Sequence, residues 1–393
     1  MIMNHMPKKI VIIGAGAGGG ISLSQLRRAL SNEDVEITII DQTGRTDFQP
    51  SYVFLALGEK KPEEISRDIS QLNDSRVRAV KDTVISVDAA NRVVKTSGGS
   101  YQYDYLIMSP GPSIDPSSLK GHEATHSVWT MEDSLRLRDA VKNFKGGNVL
   151  ISVSTQWYKC PPVPWEMALL LDDYFRRKNI RDKVKITVAH PVSRPMEMYG
   201  PGLSEPFSKM LDDRNIEGIY GRRVSSVDAE KKRAIMDNGE TVGFDLSIVA
   251  PPHLPPDFIK NNDDLRSPRG WAATNIRDFR NPKYEDVFAI GDVIAPTIQI
   301  GMAGVLAHFQ ADTVSSAIAE EIAGYPFMEY NKVAVCIIAT GGSGVFSYCD
   351  LAGKLTDPKV KFPECRMIGN DPLFRFAHDL YEVNFLSSIY GSR

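Results

Sequence analysis

A short apolar strand that runs straight into spaced glycines leaves a chain few folds to choose from, and KIVIIGAGAGGGISLSQLRRAL (residues 9–30) has that form. The apolar residues Ile10 to Ile13 lead into Gly14, Gly16 and Gly19, and a helical pattern follows to about Leu30. The first glycine permits a tight turn, the second lets the backbone approach a pyrophosphate, and the third lets helix and strand pack closely. The helix N-terminus then offers unpaired N–H groups and a positive dipole end to phosphates. A second strand, VEITIID, ends at Asp41, 22 residues beyond Gly19, where a carboxylate can accept hydrogen bonds from a ribose. Strand, turn, helix and acid together predict a Rossmann-type dinucleotide unit.

The fingerprint does not choose between FAD and NAD. A second segment does: YEDVFAIGDV (284–293) is a short strand closing on Gly291 and Asp292. In flavoproteins of this fold such a Gly–Asp pair closes over the ribityl and phosphate region of FAD. YDYLIMSPG (103–111) sits where the strand before a crossover is expected, with Ser109-Pro110-Gly111 in place of the usual Ala-Thr-Gly. An FAD domain built from two distant pieces is therefore expected, with Gly111, Gly291 and Asp292 on the cofactor.

The rest of the chain repeats the plan. A hairpin is predicted at 83–107, then a helix (MEDSLRLRDAVKNF), a strand (NVLISVS), a helix (WEMALLLDDYFRR) and a strand (KVKITVAH). The fold class is α/β, with two tandem Rossmann-like domains and a C-terminal tail carrying an amphipathic helix. The expected boundaries are 1–112 for the first part of the FAD domain, 113–244 for a degenerate NAD-type domain, 245–330 for the return to the FAD domain, and 331–393 for a region contacting quinone and membrane. At 393 residues, 42% apolar and 24% charged, the chain has the composition of an ordinary globular protein. A net charge of −3 without a basic run gives no case for nucleic-acid binding. The four cysteines are not closely paired, which argues against a disulfide framework or a metal site. The first strand begins at Lys8 and leaves no room for a secretory signal, and no apolar stretch is long enough to span a bilayer, so a cytoplasmic location is expected.

The second unit lacks its phosphate turn. After NVLISVS comes YKCPPVPWE (158–166), where Cys160, Pro161, Pro162 and Pro164 stand in place of glycines. Proline removes N–H donors and fixes the backbone, so this turn is a poor phosphate cradle. A nicotinamide donor is not expected here, and electrons must come from something small.

This stretch resembles the K-C-x-G-A-P-x-E signature of sulfide:quinone oxidoreductases and the related flavocytochrome c sulfide dehydrogenases, matching at Cys160, Pro164 and Glu166. FQPSYVFLALG (48–58) resembles the family's F-x-P-S segment near the isoalloxazine, and AVCIIATGGSGVF (334–346) its A-C-I-A-D-x-G-x-x-G segment. PLFRFAHDLYEVNFLSSIYG (372–391) resembles its aromatic membrane-contacting helix. The resemblance implies that Cys160 and Cys336 form the redox pair beside non-covalent FAD, with Glu166 as proton acceptor and Gly304 near the cofactor. It further implies hydrosulfide as substrate, a quinone as acceptor, and peripheral attachment to the cytoplasmic face of the cell membrane, with a homo-oligomer open. Two departures stand out: Trp129 replaces a cysteine many members carry in this stretch, and Met302 replaces a lysine beside the flavin.

Read from the residues alone, other roles stay open. A free cysteine is usually a small buried hydrophobe, and Cys349 and Cys365 keep that reading, with Cys349 as fallback should the register of Cys336 be wrong. Glu166 can equally be a solvated or structural carboxylate, and His190 and His308 satisfied polar residues. The tail helix, with Leu373, Phe376, Ala377, Leu380 and Val383 or Phe385 at near-helical spacing, can pack on its own domain, across a dimer or at a bilayer. Two other functions keep the fold: an NADH:quinone oxidoreductase, and a flavin electron-transfer subunit working with a cytochrome.

Overall fold

The computed structural model describes residues 6–391, and two parallel sheets organise it. In the first, Lys8–Ile13 lies between Val35–Asp41 and Tyr105–Met108, with Val77–Lys81 beyond one and Val287–Ala289 beyond the other. Ile10 pairs with Ile37 on one side and Tyr105 on the other. The Val- and Ile-rich strands are buried because parallel sheets are covered on both faces. The helix Ala17–Ala29 packs against Gly304–Ala323 over this sheet. Chain from residues 287–323 thus shares a layer with the N-terminal fingerprint.

The second sheet has the order Ile216–Tyr220, Val184–His190, Gly147–Val153, Leu246–Ala250, again parallel. Leu246–Ala250 was expected to begin the return to the FAD domain at 245. It pairs instead with Gly147–Val153, so the return comes after Ala250. The reason is in its sequence: a fully buried run needs ladder partners on the inner edge of a sheet, and Val149–Val153 supplies them. Each parallel sheet carries a three-stranded antiparallel appendage, Val84–Asp88 with Val93–Thr96 and Ser100–Gln102, and Val224–Asp228 with Arg233–Met236 and Thr241–Gly243. The two crossings between the units run side by side, where Ser113–Ile114 pairs with His253–Leu254.

The tail forms a third sheet, which the sequence reading did not anticipate. Val333–Ala339, Gly344–Asp350 and Glu364–Asp371 pair antiparallel. Across it Cys349 pairs with Cys365, and the two are joined in a disulfide. This corrects the reading of Cys349 and Cys365 as small buried hydrophobes outside any disulfide framework: 16 residues separate them along the chain, but the register sets them directly opposite. Cys160 and Cys336 remain free thiols.

The helix Pro372–Tyr390 closes the chain. Asp371 caps it by accepting the Leu373 N–H at 2.8 Å, and Pro372 occupies the first turn, where a missing N–H costs nothing. Phe385, Leu386 and Ile389 are buried against the first core, whereas Leu373, Phe376, Leu380 and Val383 point outward. The apolar face proposed from spacing is therefore two faces, with Phe385 on the inner one and Val383 on the outer. Among the described residues no helix is long and apolar enough to cross a membrane.

Candidate active site

One cavity of about 1610 Å³ runs between the two parallel sheets and the tail sheet. Its wall includes Gly14, Gly16, Asp41, Gly111, Gly291, Asp292, Gly304, Cys160, Glu166 and Cys336. Of the residues singled out from sequence, Gly19 lies behind this wall. A Cβ there would stand 1.8 Å from the Gly14 carbonyl, so its role is helix–strand packing. Gly14 has φ +92°, and a Cβ on it would meet the Ser109 carbonyl at 2.2 Å. Gly16, at the N-terminus of Ala17–Ala29, has nothing within 4 Å of its would-be Cβ. The turn therefore opens its backbone to the cavity. Asp41, on the cavity wall, braces the turn, with one oxygen accepting the Ala15 N–H at 3.0 Å and the other accepting from Thr43 at 2.8 Å.

Beside this turn, where a Cβ on Gly291 would meet the same Ser109 at 3.3 Å, the Gly291 N–H donates to Gln310 at 2.7 Å, and φ +78° turns the chain so that Asp292 faces the cavity. Burial pushes the Asp292 carboxyl up to about 6, with the Lys159 ammonium pulling the other way. A bare glycine turn on a helix N-terminus and a buried carboxylate lining the same large cavity fit FAD.

The thiol turn is held as firmly. The Cys160 N–H donates to the Met302 carbonyl at 2.8 Å, and the Cys160 carbonyl accepts from Val163 at 3.0 Å. Cys160 has φ +54°, a conformation that costs a non-glycine residue about 1 kcal/mol or more and persists only where surroundings impose it. Pro161 and Pro162 fix the next residues, and the helix Val163–Arg177 starts immediately after them. The prolines that spoil a phosphate cradle therefore serve to aim a sulfur. Glu166, on the first turn of that helix, is buried and accepts the Ala339 N–H at 2.7 Å. This bond ties the helix to the strand Val333–Ala339, which carries Cys336 three residues before Ala339.

Both sulfurs are partly exposed, but to the cavity they line, so both are desolvated. Burial raises the Cys160 thiol well above its ordinary value, helped by Cys336 and Glu166 and opposed by Lys159. Burial and Glu166 push the Cys336 thiol up to about 12. The mutual influence shows that the two thiols and the carboxyl share one electrostatic neighbourhood. Burial also raises Glu166 to about 7, against the Ala339 N–H and Arg375. Burial thus favours the protonated form of both thiols, with the Glu166 carboxyl in the same buried neighbourhood.

Several wall residues were missed. Tyr199 is raised by burial and by both cysteines, so its hydroxyl stands near the pair; nothing in the sequence marks it. Lys159 precedes Cys160 and bridges to Met302. Its ammonium donates to the Gln49 carbonyl oxygen at 2.9 Å and faces the charge of Asp292. Trp129, in place of the extra cysteine, is buried and donates its indole N–H to the Lys159 carbonyl at 2.6 Å. His190 has both ring nitrogens satisfied. Tyr158 donates to the Pro161 carbonyl at 2.9 Å and so accepts from His190 Nε2 at 2.8 Å, while Nδ1 accepts the Val192 N–H at 3.2 Å. Burial lowers this imidazole to about 3, and it stays neutral. His308 also lines the cavity, 3.5 Å from the Tyr381 hydroxyl.

Known proteins are similar to this chain at low identity. Residues 8–320 match the model of the family described as pyridine nucleotide-disulphide oxidoreductase. A mitochondrial sulfide:quinone oxidoreductase of Dictyostelium discoideum is 28% identical over 297 residues, which is 72% of this chain and 65% of that protein. A sulfide-quinone reductase of Aquifex aeolicus is 26% identical over 364 residues, covering 88% of this chain and 84% of that one. The crystal structure of the sulfide:quinone oxidoreductase from Aquifex aeolicus superposes with a TM-score of 0.84 at 23% identity, covering 98% of this chain and 91% of that one, and carries the likeness of fold through the tail sheet and last helix. With the family model matched over both parallel sheets, this chain belongs to the pyridine nucleotide-disulphide oxidoreductase family.

Proposed function

We propose that this chain is an FAD-dependent sulfide:quinone oxidoreductase. The observation that carries the reading is the convergence of Cys160 and Cys336, 176 residues apart in sequence, with Glu166 on the wall of a cavity that also contains the glycine fingerprint. The Gly14–Gly16 turn, Gly111, Gly291, Asp292 and Gly304 would hold FAD, with Asp41 bracing the turn, and bound there it would supply two-electron chemistry between the thiols and a quinone.

The residues do the rest. In the oxidised state Cys160 and Cys336 are bridged. Hydrosulfide attacks the Cys336 sulfur, a new S–S bond forms there, and Cys160 leaves as a thiolate. A second hydrosulfide removes the outer sulfur as a disulfane anion and leaves Cys336 reduced. The dithiol then gives up two electrons and two protons, and the bridge is restored. Glu166 accepts protons from the thiols at neutral pH, and the Lys159 ammonium favours the thiolate on Cys160.

The acceptor side lies at the last helix, where Phe385, His378 and Tyr381 reach the cavity. Leu373, Phe376, Leu380 and Val383 are 64%, 58%, 54% and 61% exposed on its outer face. This apolar stripe lies on the cytoplasmic face of the membrane, beside the hydrocarbon from which a quinone enters. The test is turnover with a soluble quinone. Sulfide supports quinone reduction and NADH does not, because the second turn lacks glycines. NADH-supported turnover without sulfide activity would overturn the reading.

A further inference from the structure

Where the last helix meets the cavity, His378, Tyr381 and Phe385 follow one another at spacings of three and four, which puts them on one face. Their rings stand 5.5, 5.7 and 5.5 Å from that of Phe48, which lines the cavity with them. From this aromatic cluster the Tyr381 hydroxyl reaches towards a second helix, Gly304–Ala323, to within 3.5 Å of Nδ1 of His308. The other ring nitrogen of His308 faces Asp312, one turn further along the same helix, at 3.9 Å. A third helix fixes Asp312, because the Gln25 amide donates to its other oxygen at 2.7 Å. Tyr381 and His308 line the cavity, whereas Asp312 stands outside its wall and is 21% exposed, so the row runs from the cavity to solvent. Its separations are long for hydrogen bonds, and contacts of this kind tighten when substrate is in place. Burial raises the Tyr381 phenol, with Asp312 and Cys336 adding to the effect. A phenolate is therefore costly there, and the hydroxyl can give a proton only as it receives one.

We propose that Tyr381, His308 and Asp312 form a proton relay from solvent to the quinone. The inference rests on the reading of the last helix as the acceptor side. Reduction of a quinone to a quinol takes two electrons and two protons. The electrons leave the reduced flavin with one proton, as a hydride equivalent, so one further proton completes the quinol. That proton comes from Tyr381: its O–H bond breaks as a new O–H bond forms on a quinone oxygen. In the same step the His308 imidazolium gives its Nδ1 proton to the Tyr381 oxygen and is left neutral. Asp312 holds the charged ring in place beforehand, and a proton from solvent recharges the imidazole afterwards. Glu166 and this relay thus serve opposite ends of the reaction, one receiving protons from the thiols and the other delivering a proton to the acceptor.

The test isolates the acceptor half of the reaction. Flavin-loaded protein is reduced without air by a stoichiometric amount of dithionite and mixed with a soluble quinone, and the return of the flavin's visible band is timed. Tyr381→Phe and His308→Gln are expected to lower the rate at saturating quinone roughly a hundredfold, with the half-saturating concentration unmoved, as for loss of a positioned proton donor. The wild type should slow in heavy water, and Tyr381→Phe should lose that sensitivity. In His308→Ala, imidazole added to the medium should restore part of the lost rate. Flavin content and melting temperature show whether each variant folds, and if Tyr381→Phe does not, the imidazole rescue decides alone. Wild-type rates in both variants, a loss seen only in the half-saturating concentration, or imidazole without effect would overturn the relay. Because dithionite replaces sulfide, failure of sulfide to bleach the flavin would count against the proposed function and leave this result standing. A wild type that quinone cannot reoxidise would overturn both.

Discussion

Glu166 is a carboxyl whose ionisation burial has moved from an ordinary 4.5 to about 7, and that displacement has two measurable consequences. The folded protein holds the proton between those values while the unfolded chain releases it. Stability tied to this group is therefore full below 4.5 and is lost as pH rises through about 7. Glu166→Gln keeps an oxygen for the Ala339 N–H and cannot ionise. Its melting temperature should gain on the wild type as pH rises from 4.5 to 7 and then level off. If Glu166 is the base proposed above, it works only when ionised, so the rate of flavin reduction by sulfide should climb through pH 7 in the wild type. In Glu166→Gln that rise should be absent and the rate above pH 7 about a hundredfold lower. A variant with the wild-type pH profile would make Glu166 only a clamp between its helix and the Cys336 strand.

At the scale of elements, the sequence was most legible where local chemistry dictates the backbone. The glycine turn could be read because only glycine fits Gly14 beside the Ser109 carbonyl and Gly19 beside Gly14. The thiol turn could be read because three prolines exclude a phosphate cradle. The tail sheet could not. Its strands are half-buried and interrupted, and their pairing is set by register between segments, which no periodicity reveals. The Cys349–Cys365 bond and the place of Tyr199 were hidden for the same reason. The last helix was half legible: spacing gave an apolar face, but only packing shows that Phe385 and Ile389 turn inward while Phe376 and Leu380 turn out. Phe376→Glu with Leu380→Glu should therefore leave flavin reduction by sulfide unchanged and reduce co-sedimentation with phospholipid vesicles roughly tenfold or more, since each buried apolar side chain contributes about 1.5–3 kcal/mol. Unchanged vesicle binding would assign that face to another partner.

Over the whole molecule, the account is one of three parts meeting at one cavity. The first sheet presents glycines to the cofactor, the second has exchanged its nucleotide turn for Cys160, and the tail brings Cys336, a disulfide and an apolar helix to the open side. No part is sufficient, because the two sulfurs come from different sheets and only the full fold sets them together. The most direct measurement is an anaerobic titration of the flavin-loaded protein with sulfide, beside Cys160→Ser and Cys336→Ser. The account predicts loss of the flavin's visible band in the wild type and a rate lower by roughly a hundredfold or more in each variant, as expected when an activated nucleophile is removed. Wild-type bleaching in Cys160→Ser would contradict it.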